Sequence, residues 1–105
     1  MATEIRAGVN KPYAIFMKEA KEGLREKGRI ELHGLGDSIT NVIRAAEMLT
    51  NQGYADLVTF QTSSITSDRD GVSRTKAKVI IVLSKGSDFE KAFEDFEKSR
   101  VKRNY

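Results

Sequence analysis

The sequence predicts a two-layer α+β domain, a sheet of about four strands with two helices packed on one face. Three observations carry that expectation. Apolar residues recur at helical spacing in two well-separated segments. Other segments are rich in β-branched residues with alternating or continuous apolar runs. The order along the chain is strand, helix, strand, helix, strand, strand, helix. Every such element has one apolar side to bury, and layering helices on a sheet buries all of them. A chain of 105 residues is long enough for one such core and too short for two.

The first strand, β1, is expected in residues 2–9, a weakly apolar stretch with Ile5 and Val9. Asn10-Lys11-Pro12 breaks it. Pro12 suits the first position of a helix, where a missing N–H leaves no bond unmade. Helix α1 is expected over residues 12–27, with Tyr13, Phe16, Met17, Ala20 and Leu24 on its apolar face and Gly28 closing it. In β2, residues 30–33, Ile30 and Leu32 alternate with Glu31 and His33. Residues 34–38 form a tight turn, with Asp37 or Ser38 as N-cap of α2. The stripe of α2 is Ile39, Val42, Ile43, Ala46 and Leu49, and Asn51-Gln52-Gly53 ends it at residue 53. Strand β3 is expected over residues 56–66, a polar hairpin loop over 67–75 around Asp70-Gly71, and β4 over 76–84. Val79, Ile81 and Leu83 lie on one face of β4, Ile80 and Val82 on the other. A strand apolar on both faces implies cover on both, from the C-terminal helix or from a second subunit. Phe89, Ala92, Phe93 and Phe96 mark that helix, α3, within a C-terminal extension spanning residues 87–105 with a basic end.

Composition removes several classes of function. Without cysteine there is no disulfide framework, thiolate metal site or cysteine nucleophile. A single histidine, His33, excludes a multi-histidine metal centre, and no nucleophile–base–orienter trio assembles around it. The expectation is a non-catalytic protein with no cofactor and no metal. The longest apolar run, residues 79–83, is far below the roughly 20 needed to cross a bilayer, and the first residues hold no secretory h-region. An intracellular protein, cytoplasmic or nuclear and away from membranes, is therefore expected.

The net charge of +3 is modest, but its distribution is informative. Residues 1–28 carry net +2, residues 29–66 net −2, and residues 67–86 net +3. Three features could meet an anion. Gly34-Leu35-Gly36-Asp37-Ser38-Ile39 follows a strand and opens a helix, where backbone N–H groups face outward. It lacks the third glycine of a dinucleotide fingerprint and the lysine of a Walker A loop. It is either a simple capped turn or a turn facing a phosphate. Lys11 stands at the positive end of α1, where a cation is mildly unfavourable unless an anionic ligand docks there. The hairpin bears Arg69 and Arg74 near its tip, with Lys76 and Lys78 along one edge, a basic finger suited to tracking a phosphate backbone. In the tail, acids precede bases, which fits a helix complementing its own dipole or a basic arm. Glu47, three residues after Arg44, is expected to form an ion pair with it, on the helix surface or at an interface. Tyr13 and Phe60 are expected in the core rather than as stacking platforms.

Together these residues resemble the Alba family of small DNA- and RNA-binding proteins. The resemblance runs from about Ile5 to Lys85. It rests on Asn10-Lys11-Pro12, on GLGDSITN at residues 34–41, on Ala46-Glu47-Met48-Leu49 with Asn51, and on SDRDGVSRTKAKVIIVLSK at residues 67–85. It implies a β1-α1-β2-α2-β3-β4 fold over residues 1–86 with a long β3–β4 hairpin, and a dimer, either of this chain or with another Alba-like chain. It also implies RNA and/or DNA as partner, held by Lys11, by Gly36 and Asn41 around the turn, and by Arg69, Arg74 and Lys76 on the hairpin. Where archaeal members carry paired lysines and an Arg-Gly-Arg turn, this chain has Asn10-Lys11 and Leu35-Gly36-Asp37. That substitution points away from duplex coating and toward the eukaryotic branch, tied to RNA binding, translational control or RNase P/MRP. A protein-interaction subunit of a ribonucleoprotein and a chromatin-associated DNA binder stand as alternatives.

Overall fold

The computed structural model describes residues 3–8 and 10–102. The elements are β1 (Thr3–Arg6), α1 (Tyr13–Lys27), β2 (Arg29–Leu35), a 3₁₀ turn (Gly36–Ser38), α2 (Ile39–Asn51), β3 (Ala55–Arg69), β4 (Val72–Lys85) and α3 (Phe89–Lys102). The expected order is therefore the observed one. The sheet runs β1-β2-β4-β3, with β1 parallel to β2 and the other neighbours antiparallel. Val9, expected in β1, lies outside the described residues, and β1 ends at Arg6.

Both helices lie on one face. Phe16, Met17, Ala20 and Leu24 of α1 and Val42, Ala45, Ala46 and Leu49 of α2 meet Ile5, Ile30, Leu32, Val79, Ile81 and Leu83 of the sheet. Pro12 stands one position earlier than expected, as the residue before α1, and its carbonyl accepts from the N–H groups of Ile15 and Phe16, both at 3.1 Å. Helix α3 extends the same layer. Phe89 is buried in the core, the Tyr54 hydroxyl donates to the carbonyl of Ala92 at 3.1 Å, and Arg25 of α1 lies 5.3 Å from the ring of Phe93. The C-terminal helix thus stands on the helix side of the sheet and does not cover Ile80 and Val82. Those two are half-buried among their own strand neighbours His33 and Glu31 on the opposite face. The side chain of Phe96 lies outside the described residues. No helix among the described residues is long and apolar enough to cross a membrane.

Residues 67–75 correct the expectation of a loop. Both strands continue through this segment, with Thr66 paired to Thr75, Ser67 to Arg74 and Arg69 to Val72. Only Asp70 and Gly71 turn, with φ of 54° and 74°. Two consecutive positive-φ residues make a turn whose twist matches that of the strands it joins, so the pairing persists to the tip. Because β2 pairs with β4 only as far as Lys78, the first six residues of β4 are paired with β3 alone. This free ribbon projects about 20 Å at the usual rise per residue. It stretches the molecule to 55 × 31 × 20 Å and its radius of gyration to 15.6 Å, against about 13 Å for a compact chain of this length.

Candidate nucleic-acid interface

The turn between β2 and α2 is built by close approach. A β-carbon on Gly34 would lie 2.6 Å from Val42 Cγ2 and 3.2 Å from Ile39 Cα, so only glycine lets the first turn of α2 close against the strand. Ser38 is buried and fastens the turn internally. Its Oγ accepts from the N–H of Leu35 at 2.9 Å and donates to the carbonyl of the same residue at 3.0 Å. Ser38 takes the expected N-cap position of α2, but its side chain makes no capping hydrogen bond to that helix. Gly36 has φ +58°, and a β-carbon there would lie 3.4 Å from Lys76 Cδ. The lysine stem thus lies across the turn. Asn41 is half-buried in the first turn of α2, and Asp37 is exposed.

The ribbon's register decides which of its side chains share a face. Arg74, Lys76 and Lys78 stand opposite Ser67, Ile65 and Ser63, on the face away from the helices. Thr62, Ser64, Thr66, Thr75 and Ala77 occupy the other face, where the hydroxyls of Thr66 and Thr75 are 3.0 Å apart. Among the described residues, Arg74, Lys76 and Lys78 take part in no salt bridge. Lys78 is an addition to the site nominated by the family pattern, since strand alternation puts it in line with Arg74 and Lys76. The side chain of Arg69 lies outside the described residues, although its backbone pairs with Val72.

Lys11 is held near the same end of the sheet. Its Nζ donates to the carbonyl of Arg6 at 3.0 Å and lies 3.0 and 3.3 Å from the two carboxylate oxygens of Glu19. Beside it, Tyr13 is half-buried, packs against the core and donates its hydroxyl to Met48 Sδ at 3.2 Å. Burial raises the Tyr13 phenol above its ordinary pKa of 10.0, and the nearby Arg44 opposes the shift. Arg44 lies 4.6 Å from that ring, having turned to α1 rather than to Glu47. Phe60 is a second correction. It stands opposite Ile81 on the helix side but on the edge strand, and is 51% exposed.

The candidates thus fall into two groups. Lys76 and Gly36 touch, with Asn41 one helical turn away. Arg74 stands two residues further along the arm, about 7 Å out at the usual rise. On the outer sheet face, His33 Nε2 donates to Glu31 at 3.1 Å and lies 4.0 Å from Glu4, while its Nδ1 is buried without a partner. These three are the grouping among the described residues whose ligand atoms lie close enough to hold a cation, within 4.8 Å of one another. The guanidinium of Arg6 already occupies Glu4 at 2.6 Å. It holds that carboxyl below the usual 4.5, with His33 and Lys78 adding to the effect. Positive neighbours on both sides make this a charge network rather than a metal cradle.

The family model for Alba matches residues 3–68. The chain belongs to the Alba family. Alba proteins are generally nucleic-acid binders and often form dimers. An Arabidopsis thaliana protein, itself described as uncharacterised, is 30% identical over 86 residues, or 80% of this chain. The chain spans 66% of that relative's length. Among solved structures, the ALBA1 protein of Trypanosoma brucei superposes with a TM-score of 0.78 at 22% identity, over 99% of this chain and 87% of that one. Alba of Thermoplasma volcanium does so at 0.68 and 18% identity, over 79% of this chain and all of its own. At these identities the structural likeness speaks for the Alba fold alone.

Proposed function

We propose that this Alba protein binds the backbone of nucleic acid, RNA in preference to duplex DNA, without catalysing a reaction. Residues 1–86 form the binding unit, with 87–105 as a helical extension. The observation that carries the reading is the row Arg74–Lys76–Lys78, cations in no salt bridge among the described residues, which leads into the turn at Gly36. Lys11 and Asn41 complete the site at the body, and Arg69 adds charge near the tip. Phosphate contacts position a ligand without reading its sequence, so selectivity among sequences should be weak. The expected setting is RNA metabolism or translational control, in cytoplasm or nucleus. The test is fluorescence anisotropy with a single-stranded RNA and a matched DNA duplex across a salt series. Binding with log K falling linearly in log salt supports the reading, and the ratio of affinities separates an RNA regulator from a chromatin-type protein. Absence of binding at ~50 mM salt overturns it for the isolated chain.

A second reading, an interaction subunit that pairs with another Alba-like chain as in an RNase P/MRP-type particle, is favoured by a groove between α2 and β3. Ile43, Ala46, Leu57, Phe60 and Ile81 line it, with Glu47 and Asp56 at its rim, enclosing about 440 Å³. Ile43, Leu57 and Phe60 are exposed there, and β3 is a free sheet edge. We place the dimer contact, with a second copy or with a related chain, on this groove. Sedimentation of Phe60→Glu should show monomer where the unaltered chain shows dimer, and an unchanged profile would move the contact elsewhere.

A further inference from the structure

We propose that the Glu19 carboxylate is an internal competitor for phosphate at Lys11. In the free protein it holds the ammonium, and nucleic acid has to displace it, so Glu19 tunes the affinity of this end of the site. The inference rests on the nucleic-acid reading above. An ammonium has three protons to donate and no acceptor capacity. At Lys11 the carbonyl of Arg6 at 3.0 Å and the two oxygens of Glu19 at 3.0 and 3.3 Å surround it. The side chain of Lys11 is 30% exposed, whereas Lys76 and Arg74 stand open on the arm with no ion pair among the described residues. The contact is not a local helical pair, because Lys11 precedes the break at Pro12 and Glu19 reaches back to it from the second turn of α1. No acid occupies the first turn of that helix. Glu19 therefore supplies the negative charge that this corner, a lysine beside a helix N-terminus, otherwise lacks. With its own side chain 41% exposed, the carboxylate remains reachable, so a phosphate can exchange with it through solvent.

A partly exposed ion pair contributes little, so the competition sets a modest factor. Glu19→Gln should bind single-stranded RNA about two- to fivefold more tightly than the unaltered chain at equal salt. Glu22→Gln, which removes the same charge from the exposed side of the helix, should gain less. The gain from Glu19→Gln should vanish when Lys11→Ala is also present. Amine acylation followed by mass spectrometry gives a second readout that needs no ligand. Lys11 should label more slowly than Lys76 in the unaltered chain, and Glu19→Gln should accelerate Lys11 alone. Equal affinity for Glu19→Gln and the unaltered chain overturns the proposal, as does a gain that survives Lys11→Ala. If no variant binds RNA, the nucleic-acid reading fails and the competition fails with it. The labelling would then still show whether the Glu19–Lys11 contact exists.

Discussion

Replacing Arg74, Lys76 and Lys78 together by alanine removes the basic face of the arm and leaves its turn and cross-strand pairing in place. The three side chains alternate along β4, so adjacent ones are about 7 Å apart and the row spans about 14 Å. One strand of a duplex presents a phosphate every 3.4 Å of axis, roughly, so the row can face about four of them and each cation can take its own. Each contact contributes about 0.7 to the salt slope for a single strand and about 0.9 for a duplex. The triple variant should therefore show a slope shallower by about 2.1 or about 2.7. Between 50 and 200 mM salt, the unaltered chain should lose roughly 20-fold more affinity than the variant on single-stranded RNA, and roughly 40-fold more on duplex. Anisotropy titrations at four or more salt concentrations measure this directly. Arg74 and Lys76 are exposed, Lys78 is half-buried, and none is in a salt bridge among the described residues, so the melting temperature should move by no more than about 3 °C. A salt slope equal to that of the unaltered chain would take this face out of the interface, whatever the affinity.

Other predictions concern the frame of the site. Glu4 is held below its usual 4.5 by its hydrogen bond from Arg6 and by the charge of His33. A depressed carboxyl stabilises the fold above its unfolded pKa and loses that contribution as pH falls through the folded value. Chemical denaturation from pH 6 down to about pH 3 should thus fall less steeply in Glu4→Gln than in the unaltered chain. Tyr13 is raised above 10.0 by burial, so its contribution is complete below that pH and disappears as pH rises through the higher folded value. Tyr13→Phe should reduce the loss of melting temperature above pH 10, and an identical alkaline profile would mean that the phenol does not titrate with unfolding. Gly34→Ala places a methyl 2.6 Å from Val42 Cγ2. It should cost about 1–3 kcal/mol in urea denaturation and loosen the turn that Lys76 crosses. Full stability in that variant would show that α2 can shift away without penalty.

The helices and the core strands were legible because burial on one side imprints a period. Phe16, Met17, Ala20 and Leu24 in α1 and Val79, Ile81 and Leu83 in β4 are spaced as their elements require, and all are buried. The arm has no buried side and so imprints nothing. Residues 67–75, polar but for Val72, read as a loop, although Asp70-Gly71 at their centre is a two-residue hairpin signal. Phe60 was misread for a related reason. An aromatic residue in a β-branched run is usually core, but the sheet order puts β3 at the edge, where α2 leaves Phe60 half uncovered. Residue type carries no information about strand order. The partners of Arg44 and Lys11 were equally hidden. An i,i+3 neighbour such as Glu47 is visible in the sequence, whereas the ring of Tyr13 comes within 4.6 Å only because α1 and α2 pack side by side.

The same geometry bears on which nucleic acid suits the site. A duplex offers dense, evenly spaced charge, and the surface that grips it best is continuously basic. Here the row of cations on the arm runs into a turn whose exposed residues are Leu35, 42% exposed, and the acid Asp37. A carboxylate at that position repels a closely packed phosphate backbone, and an apolar side chain gains nothing from it. A single strand makes fewer demands. Its bases are accessible and its backbone can swing past Asp37, so that a base or sugar rests on Leu35 while phosphates follow Lys76, Lys78 and Arg74. The hydroxyl-bearing face of the arm offers further donors and acceptors to a 2′-hydroxyl, through Thr62, Ser64, Thr66 and Thr75. On the proposed reading, turn and arm would favour the same ligand for different reasons, the first by penalising duplex and the second by accommodating RNA.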